Sequence, residues 1–576
     1  MNFYEADPNL AFLLRRLAST ADYERAQPIL RRAGALAGDE LDRLAHLADK
    51  NPPVLERYDH RGDRVDEIVY HPAYHEMERL LYGELGLAGM SHRPGVNGWP
   101  TKYPFLVKYA IWYVVAQAEF GLLCPVNMTD TAARILGLFG STTLQDTYIP
   151  HLTTQNLSEL LTATQWMTER GGGSDVGNGT ETIARRNGDV WQLYGRKWFC
   201  SNASADVIMT LARPEGAQAG TRGLAMFLLP KRLPDGASLR SGTRNSYYVE
   251  RLKDKLGTRD MASGEVLLDG AVAFPIGPLD AGFRQMMEMV NMSRLSNAMR
   301  SAGMMRRSVL ESVVHTRGRI AFGKPLFEQP LMRETLLGLL LDAEASAGLV
   351  LHTAAVIDRS EAGDAEARRL RRILIPLAKY WVTKRGRWVT GEGLEVRGGN
   401  GYIEDWVNAR LVRDSHLGSI WEGSSNIIAL DVTRSLLKDG TGEALFGDIE
   451  RRIAAVQDAD VRRLADRLAE IADQTRRRVA ALLALEPERR DPLLGRLTER
   501  LAHLAAASVL VDDADFQATQ GEGYRKLLLA AAYLRRYLAH ADPLAPDDTA
   551  VRWLAELVDW APIPAEAAHH VLSTEY

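Results

Sequence analysis

The stretch IWEGSSNII, residues 420–428, places one carboxylate, Glu422, on a turn of small residues just ahead of an apolar helical segment. Gly423, Ser424 and Ser425 let the backbone bend closely around a ligand. Asn426 adds an amide donor and acceptor where the helical segment 427–437 begins. A carboxylate so placed suits removal of hydrogen from carbon: it takes a proton alpha to a carbonyl, while an electron acceptor on the opposite face takes a hydride from the neighbouring carbon. The same residues also read as a solvated helix entry, and the motif alone does not choose between the two.

The 576 residues are enough for several domains, and the formal net charge of −4 gives no general attraction for nucleic acid or anionic membrane. Cys124 and Cys200 are the only cysteines, too few for a disulfide framework or a thiolate metal cluster, and a reducing compartment fits. The opening MNFYEADPNLAFLLRR puts acidic residues before a short apolar run closed by Arg15 and Arg16, the wrong order for a signal peptide. No segment has the uninterrupted apolar length of a membrane span, so the expectation is a soluble, cytoplasmic protein.

Apolar residues recur at helical spacing over residues 10–17, 36–47, 73–85 and 106–122, interrupted by Asn51-Pro52-Pro53 and a charged turn over residues 59–67. The first part of the chain therefore reads as helical. His71, His75 and His92 lack carboxylate or cysteine partners at ligand spacing, and read as satisfied histidines rather than as a metal site. From about residue 160 the period changes. Residues 190–193, 207–211, 224–229 and 265–268 are short apolar or alternating runs between Gly, Pro and Asn clusters, as in a small β domain inserted between helices.

That β domain opens with QWMTERGGGSDV, residues 165–176. Gly171, Gly172 and Gly173 let backbone amides approach a phosphate or a flat ring, with hydroxyls from Thr168 and Ser174; a flexible glycine turn explains the run equally well. It has neither the dinucleotide fingerprint nor the P-loop ending. In RKWFCSN, residues 196–202, Trp198 and Phe199 can stack on a ring and Ser201 can bond its edge, although aromatics in strands usually belong to the core. Beyond Pro275 the chain returns to helix. The methionine stripe of residues 286–305 fills a bundle. RGRIAFGKPLFEQ, residues 317–329, is a basic break that meets a pyrophosphate or is solvated, and Gly398-Gly399-Asn400-Gly401 is a turn after another long helix.

A Thr-Glu glycine turn, an aromatic–serine strand, an R-x-x-F-G loop, a G-G-x-G turn and E-G-S-S-N, ordered as helices, strands, helices, resemble the acyl-CoA dehydrogenase superfamily over about residues 70–440. Within it, NPPVLERYDHRGDRVDEIVYHPAYH, MTERGGGSDV, ERLKDKLGTRDMASGEV, FGKPLFEQPLMR and SIWEGSSNIIALDVTR are similar to the AidB-like branch, the adaptive-response proteins linked to DNA alkylation. The resemblance implies a mainly α fold with an inserted β domain: an N-terminal helical domain over 1–160, a middle β domain over 161–278, a helical bundle over 279–440 and a C-terminal helical extension over 441–576.

What the resemblance implies for the site can be placed residue by residue. Met167 and Thr168 would bond the polar edge of an FAD flavin ring, Ser174 its pyrophosphate, Phe199 the ring face and Ser201 the neighbourhood of the reactive nitrogen. Arg319 and Phe322 match a loop that reaches FAD from a neighbouring subunit, Gly398 and Gly399 a turn under the pyrophosphate, and Ser424 and Asn426 line the same site. Glu422 takes the base position; where some members place the base before an arginine on an earlier helix, this chain has Ser293 before Arg294. FAD would lie between a β domain and a helical bundle, and the usual assembly is a homotetramer.

Three features depart from ordinary acyl-CoA dehydrogenases. Arg170 stands where proline is usual, and Gln329-Pro330 shifts a glutamine by one place; both follow the AidB-like branch and leave an acyl-CoA substrate open. The third is the tail, of a kind credited with DNA contact in that branch. Residues 441–576 are helical in period with breaks near Pro487, Pro492, Pro543, Pro546 and Pro562. They hold about 17 Arg and Lys against about 23 Asp and Glu, a balance that repels a phosphate backbone unless arginines cluster on one face. Arg451-Arg452, Arg462-Arg463, Arg476-Arg477-Arg478 and Arg535-Arg536 are the candidates for such a face, although acidic residues beside most of them favour a solvated helix surface, and Arg434 matches a DNA-contact position of the branch. Two functions follow: an FAD-dependent dehydrogenase of acyl thioesters using Glu422, or a flavin-bearing, DNA-associated alkylation-protection protein. An oxygen-using flavin enzyme on the same fold is a third.

Overall fold

The computed structural model describes residues 1–233, 238–539 and 549–573; Pro543 and Pro546 lie outside the described residues. The chain forms two compact units that it visits alternately. One contains Met1–Ala35, Pro104–Gln117 and Asn297–Tyr576, the other Leu36–Tyr103 and Ala118–Ser296.

The unit containing Ala118–Ser296 is built on strands: β1 (Val54–Tyr58), β2 (Arg64–Val69), β3 (Ala163–Trp166), β4 (Ile183–Asn187), β5 (Val190–Ser201), β6 (Val207–Pro214), β7 (Ala225–Pro230), β8 (Tyr247–Leu252) and β9 (Ser263–Pro275). Pairing runs β6–β4–β5–β9–β7 and returns from β7 to β6, so these five strands close into a ring. β3 joins β6 in parallel and β8 joins β9 antiparallel. Closure removes exposed edges and encloses a core of Trp166, Leu193, Cys200, Ile208, Phe227, Tyr247 and Val266. Buried at every position, β7 reads as a continuous apolar run, AMFLLP, with no alternation.

The four strands expected from sequence coincide with parts of β5, β6, β7 and β9, but β5 and β9 extend to 12 and 13 residues. β3, β4 and β8 were not expected: β3 has four residues, and β4, IARRN, has one buried position. The charged turn expected over residues 59–67 is instead the tip and second strand of a hairpin, with Val54 opposite Val69 and Tyr58 opposite Arg64. Tertiary contact overrides local polarity here. The buried Asp66 carboxylate accepts the Val249 N–H at 3.0 Å and pairs with Arg64 at 3.0 Å, fastening the hairpin to β8. The helix expected over residues 106–122 stops at Val115, and the next, Leu123–Phe139, starts after the Glu119 carboxylate accepts the Leu122 N–H at 2.7 Å.

The other unit is helical. Its central members are Pro330–Glu361, Ala365–Val396 and the part of Gly282–Gly318 that follows Asn297, joined by Val407–Gly418, Ser425–Lys438 and a C-terminal set that includes Leu494–Thr519 and Arg525–Tyr537. Two central helices meet along a seam of small residues. A Cβ on Gly393 would lie 2.0 Å from Ser308 Oγ, which itself donates to the Val389 carbonyl at 3.0 Å; one turn-pair earlier, Gly386 faces Ser301. Seven-residue spacing on both sides keeps one face of each helix on the seam.

Pro330–Glu361 is long and apolar enough to cross a membrane by length and composition, but 94% of the relevant window is buried within the fold. It is a core helix carrying a charge: Glu344 accepts from Arg525 Nη1 at 3.0 Å and from Lys526 Nζ at 2.9 Å. Lys526 reaches Asn9 at 2.5 Å and lies 3.7 Å from Asp513, which pairs with Arg16 at 2.6 Å. The C-terminal extension and the first helix, Pro8–Leu17, are thus tied to the central helix by one buried charge network. Burial pushes the Glu344 carboxyl up, but Arg525 and Lys526 outweigh it and hold it down to about 2.

Glu344→Gln leaves Arg525 and Lys526 buried without their carboxylate, and the expected loss is about 3–5 kcal/mol in a urea titration. Because the folded value lies below the ordinary one of 4.5, the Glu344 contribution is complete above that pH and is lost as pH falls toward about 2. Melting scans across that range should show an acid-side slope in the wild type that is shallower in the variant.

Candidate functional site

In the β-containing unit, the residues singled out from sequence gather at one irregularity. Along β5 and β9, Lys197 pairs with Val266 and Cys200 with Gly264, so Trp198 and Phe199 together oppose Glu265. Such a bulge frees backbone groups and re-aims side chains. The freed Trp198 N–H donates to the Thr168 carbonyl at 2.9 Å, bringing Met167 and Thr168 to the same edge. Cys200 points into the core at 0% exposure while Phe199 is 60% exposed, which corrects the expectation that a strand aromatic is core. Ser201 is held by its backbone: its carbonyl accepts from Thr164 Oγ1 at 2.6 Å and from Trp166 Nε1 at 3.2 Å.

The glycine run is fixed from beneath by a residue that sequence reading passed over. Glu169 is buried and accepts from Lys197 Nζ at 2.7 Å, Thr182 Oγ1 at 2.6 Å and the Glu181 N–H at 2.8 Å. The turn is therefore anchored and not merely flexible. Gly172 packs on Gly179, where a Cβ would meet the carbonyl oxygen at 2.7 Å, and Gly173 takes φ +43° with nothing within 4 Å of an added Cβ. Ser174 follows on the exposed side. Arg170, in place of proline, sets its guanidinium 5.5 Å from the Trp198 ring centre, and Lys253 Nζ lies 3.4 Å from the same ring. A proline at 170 could not make the first of these contacts.

In the helical unit, Glu422, Ser424 and Asn426 share one turn and the start of the helix Ser425–Lys438. Glu422 has φ +57° and Gly423 φ +99°. A glutamate in the left-handed region costs about 1–2 kcal/mol and persists where its surroundings hold it. Ser424 makes no side-chain capping bond to that helix, so its hydroxyl leaves the first N–H groups uncapped. The preceding Gly418 sits against Ser301 and Thr383, where an added Cβ would lie 3.1 Å and 3.3 Å from their atoms, and Asn297 Nδ2 donates to its carbonyl at 2.7 Å. Sequence offered no signal for Asn297, Ser301 or Thr383; they act through packing between distant segments.

Arg319 and Phe322 lie in the hairpin after Gly282–Gly318, where Ile320 opposes Pro325 and Ala321 opposes Lys324. The two-residue tip, Phe322-Gly323, has φ +52° and +81°, the left-handed pair that tight hairpins use, and Phe322 is 96% exposed. Gly398, at φ +66°, ends the helix Ala365–Val396, with its N–H on the Glu395 carbonyl at 2.8 Å; a Cβ on Gly398 or Gly399 would meet nothing within 4 Å. Among the described residues no group of His, Cys, Asp and Glu has the form of a metal site.

Residues 1–158 match the adaptive response protein AidB N-terminal domain, residues 164–271 the acyl-CoA dehydrogenase middle domain and residues 280–437 the acyl-CoA dehydrogenase C-terminal domain. The putative acyl-CoA dehydrogenase AidB of Escherichia coli is 34% identical over 495 residues, 84% of this chain and 87% of the relative. Acyl-CoA dehydrogenase family member 11 of Caenorhabditis elegans is 35% identical over 445 residues, 75% of this chain and 70% of the relative. Among solved structures, Caenorhabditis elegans ACDH-11 in complex with C11-CoA matches with a TM-score of 0.83 at 28% identity, covering 99% of this chain and 94% of that one. The Bd2924 apo-form matches with a TM-score of 0.80 at 30% identity, covering 89% and 98%. Glu422, its helix and the strand ring thus sit inside segments matched in order along the chain, which belongs to the acyl-CoA dehydrogenase family and carries the AidB-type N-terminal domain.

Proposed function

We propose that the protein is an FAD-dependent dehydrogenase of acyl-CoA thioesters in which Glu422 removes the alpha proton. The observation that carries this reading is the carboxylate itself: Glu422 is half-buried and fixed in a left-handed backbone ahead of a helix with no side-chain cap. Rigid placement of a base is what proton abstraction from carbon requires. FAD, when bound, supplies the acceptor for the beta hydride.

The residues present fit such a group. Phe199 offers an exposed ring face, aimed outward by the bulge, and Met167, Thr168 and Ser201 lie on the same strand edges. In the β-containing unit Gly173 leaves backbone open to close approach and Ser174 adds a hydroxyl; in the helical unit Gly398 and Gly399 leave backbone open, and Ser424, Asn426 and the uncapped helix start offer hydroxyl, amide and N–H donors of the kind a pyrophosphate takes. Arg319 and the exposed Phe322 would serve a second copy's cofactor, which makes a homo-oligomer, a tetramer in our reading, part of the site. A thioester of the C11-CoA kind is the substrate favoured, since the ACDH-11 structure similar over nearly the whole chain is a complex with C11-CoA.

Charge pairing in the extension weighs against the DNA-associated reading. Arg451, Arg452, Arg476, Arg477 and Arg536 each pair with a carboxylate, and Arg462 donates to the Ile453 carbonyl at 2.8 Å. These arginines of the proposed basic runs serve helix packing and solvated ion pairs.

Glu422→Gln keeps the side chain's size and removes the base. The variant should bind FAD as the wild type does and lose about 10²–10⁴-fold in the rate of anaerobic flavin bleaching by acyl-CoA; full turnover in the variant would sink the role. In filter binding, duplex DNA should show no retention at low salt; tight retention that falls steeply with added salt would favour the DNA-associated function.

A further inference from the structure

Two buried cations converge on the turn that carries Glu422. Arg300, on Gly282–Gly318, is 1% exposed and sets its guanidinium carbon 4.8 Å from the ring centre of Trp421. Lys379, on Ala365–Val396, is 1% exposed and donates from Nζ to the carbonyl of Gly423. The contacts thus fall on the residues immediately before and after Glu422. The chain just ahead is also held, by Asn297 on the Gly418 carbonyl at 2.7 Å and by Arg387 Nη1 on Ser419 Oγ at 3.1 Å.

Each of these features is unfavourable alone. A desolvated cation is costly to bury, and so is a glutamate in left-handed backbone. Cations brought onto the two residues that flank Glu422 restrict the backbone on both sides of a single carboxylate. A guanidinium over an indole fixes the ring plane, and an ammonium on a carbonyl fixes the next peptide; together they leave the peptide units around Glu422 little freedom to rotate.

We propose that Arg300 and Lys379 are positioning residues for Glu422: Arg300 acts through Trp421 and Lys379 through the Gly423 carbonyl, and together they hold the carboxylate in its left-handed setting. The proposal rests on Glu422 being the base, so its test has one arm that needs no reaction. Full-length protein labelled with 5-fluorotryptophan gives a Trp421 signal, assigned by its loss in Trp421→Phe. Arg300→Met and Lys379→Met should move or broaden that signal, and Arg300→Lys, which keeps the charge, should bring it back toward the wild-type position. An unmoved Trp421 signal in Arg300→Met overturns the proposal.

In the second arm, anaerobic bleaching by acyl-CoA is followed in the same variants. The limiting rate should fall about 10- to 100-fold in the two Met variants, with the half-saturating concentration changed less than about threefold and Arg300→Lys partly restored. A loss confined to half-saturation, or no rescue by Lys, overturns it. If wild-type protein is not bleached by any acyl-CoA, the base reading fails while the fluorine result still decides whether the two cations hold the turn.

Discussion

The close contact of Gly282–Gly318 with Ala365–Val396 is the constraint on which the turn carrying Glu422 rests. Glycine at 393 brings its helix so close to Ser308 that an added Cβ would lie 2.0 Å from the hydroxyl, and at Gly386 a Cβ would be in ordinary contact with Ser301, 3.5 Å away. The same narrow seam receives Gly418 at the end of Val407–Gly418, so the chain that leaves that helix is set down on both partners at once. Glu422 follows four residues later. A wider seam would leave the turn on one helix only, with the other's hydrogen bonds unmade.

Backbone strain appears where side chains have to be displayed. Among seven described non-glycine residues with positive φ are Glu422 and Phe322, one a half-buried acid and the other an almost wholly exposed aromatic. A bulky residue gains nothing locally from that conformation. In each case a glycine follows and turns with it, Gly423 or Gly323, so the pair reverses the chain in two residues. The bulge at Trp198 and Phe199 reaches the same end in a strand, by giving up one ladder pairing so that an aromatic faces outward.

Much of this was legible in the sequence because the motifs are local. Glu422 with its small residues, the glycine run after Thr168 and the Phe322-Gly323 tip each declare a turn within a few positions, and their order along the chain identified the fold. The missed features are long-range. Nothing around Glu169 announces that Lys197 and Thr182 will converge on it, and Arg300, 121 residues before Trp421, is one arginine among many in sequence. β4 and the β1–β2 hairpin were hidden by their charged residues, since their stability comes from neighbours and not from alternation. The acidic balance of the tail is plain in the sequence, but the buried Glu344–Arg525–Lys526 centre, which ties that tail to the central helix, has no local signature.

The most direct measurement is an anaerobic titration of the purified, FAD-loaded protein with a series of acyl-CoA thioesters, following flavin absorbance. The account predicts rapid bleaching by one chain-length class. Persistence of the yellow colour with every thioester, in protein that dithionite still reduces, would contradict it and remove Glu422 from the role of carbon-acid base.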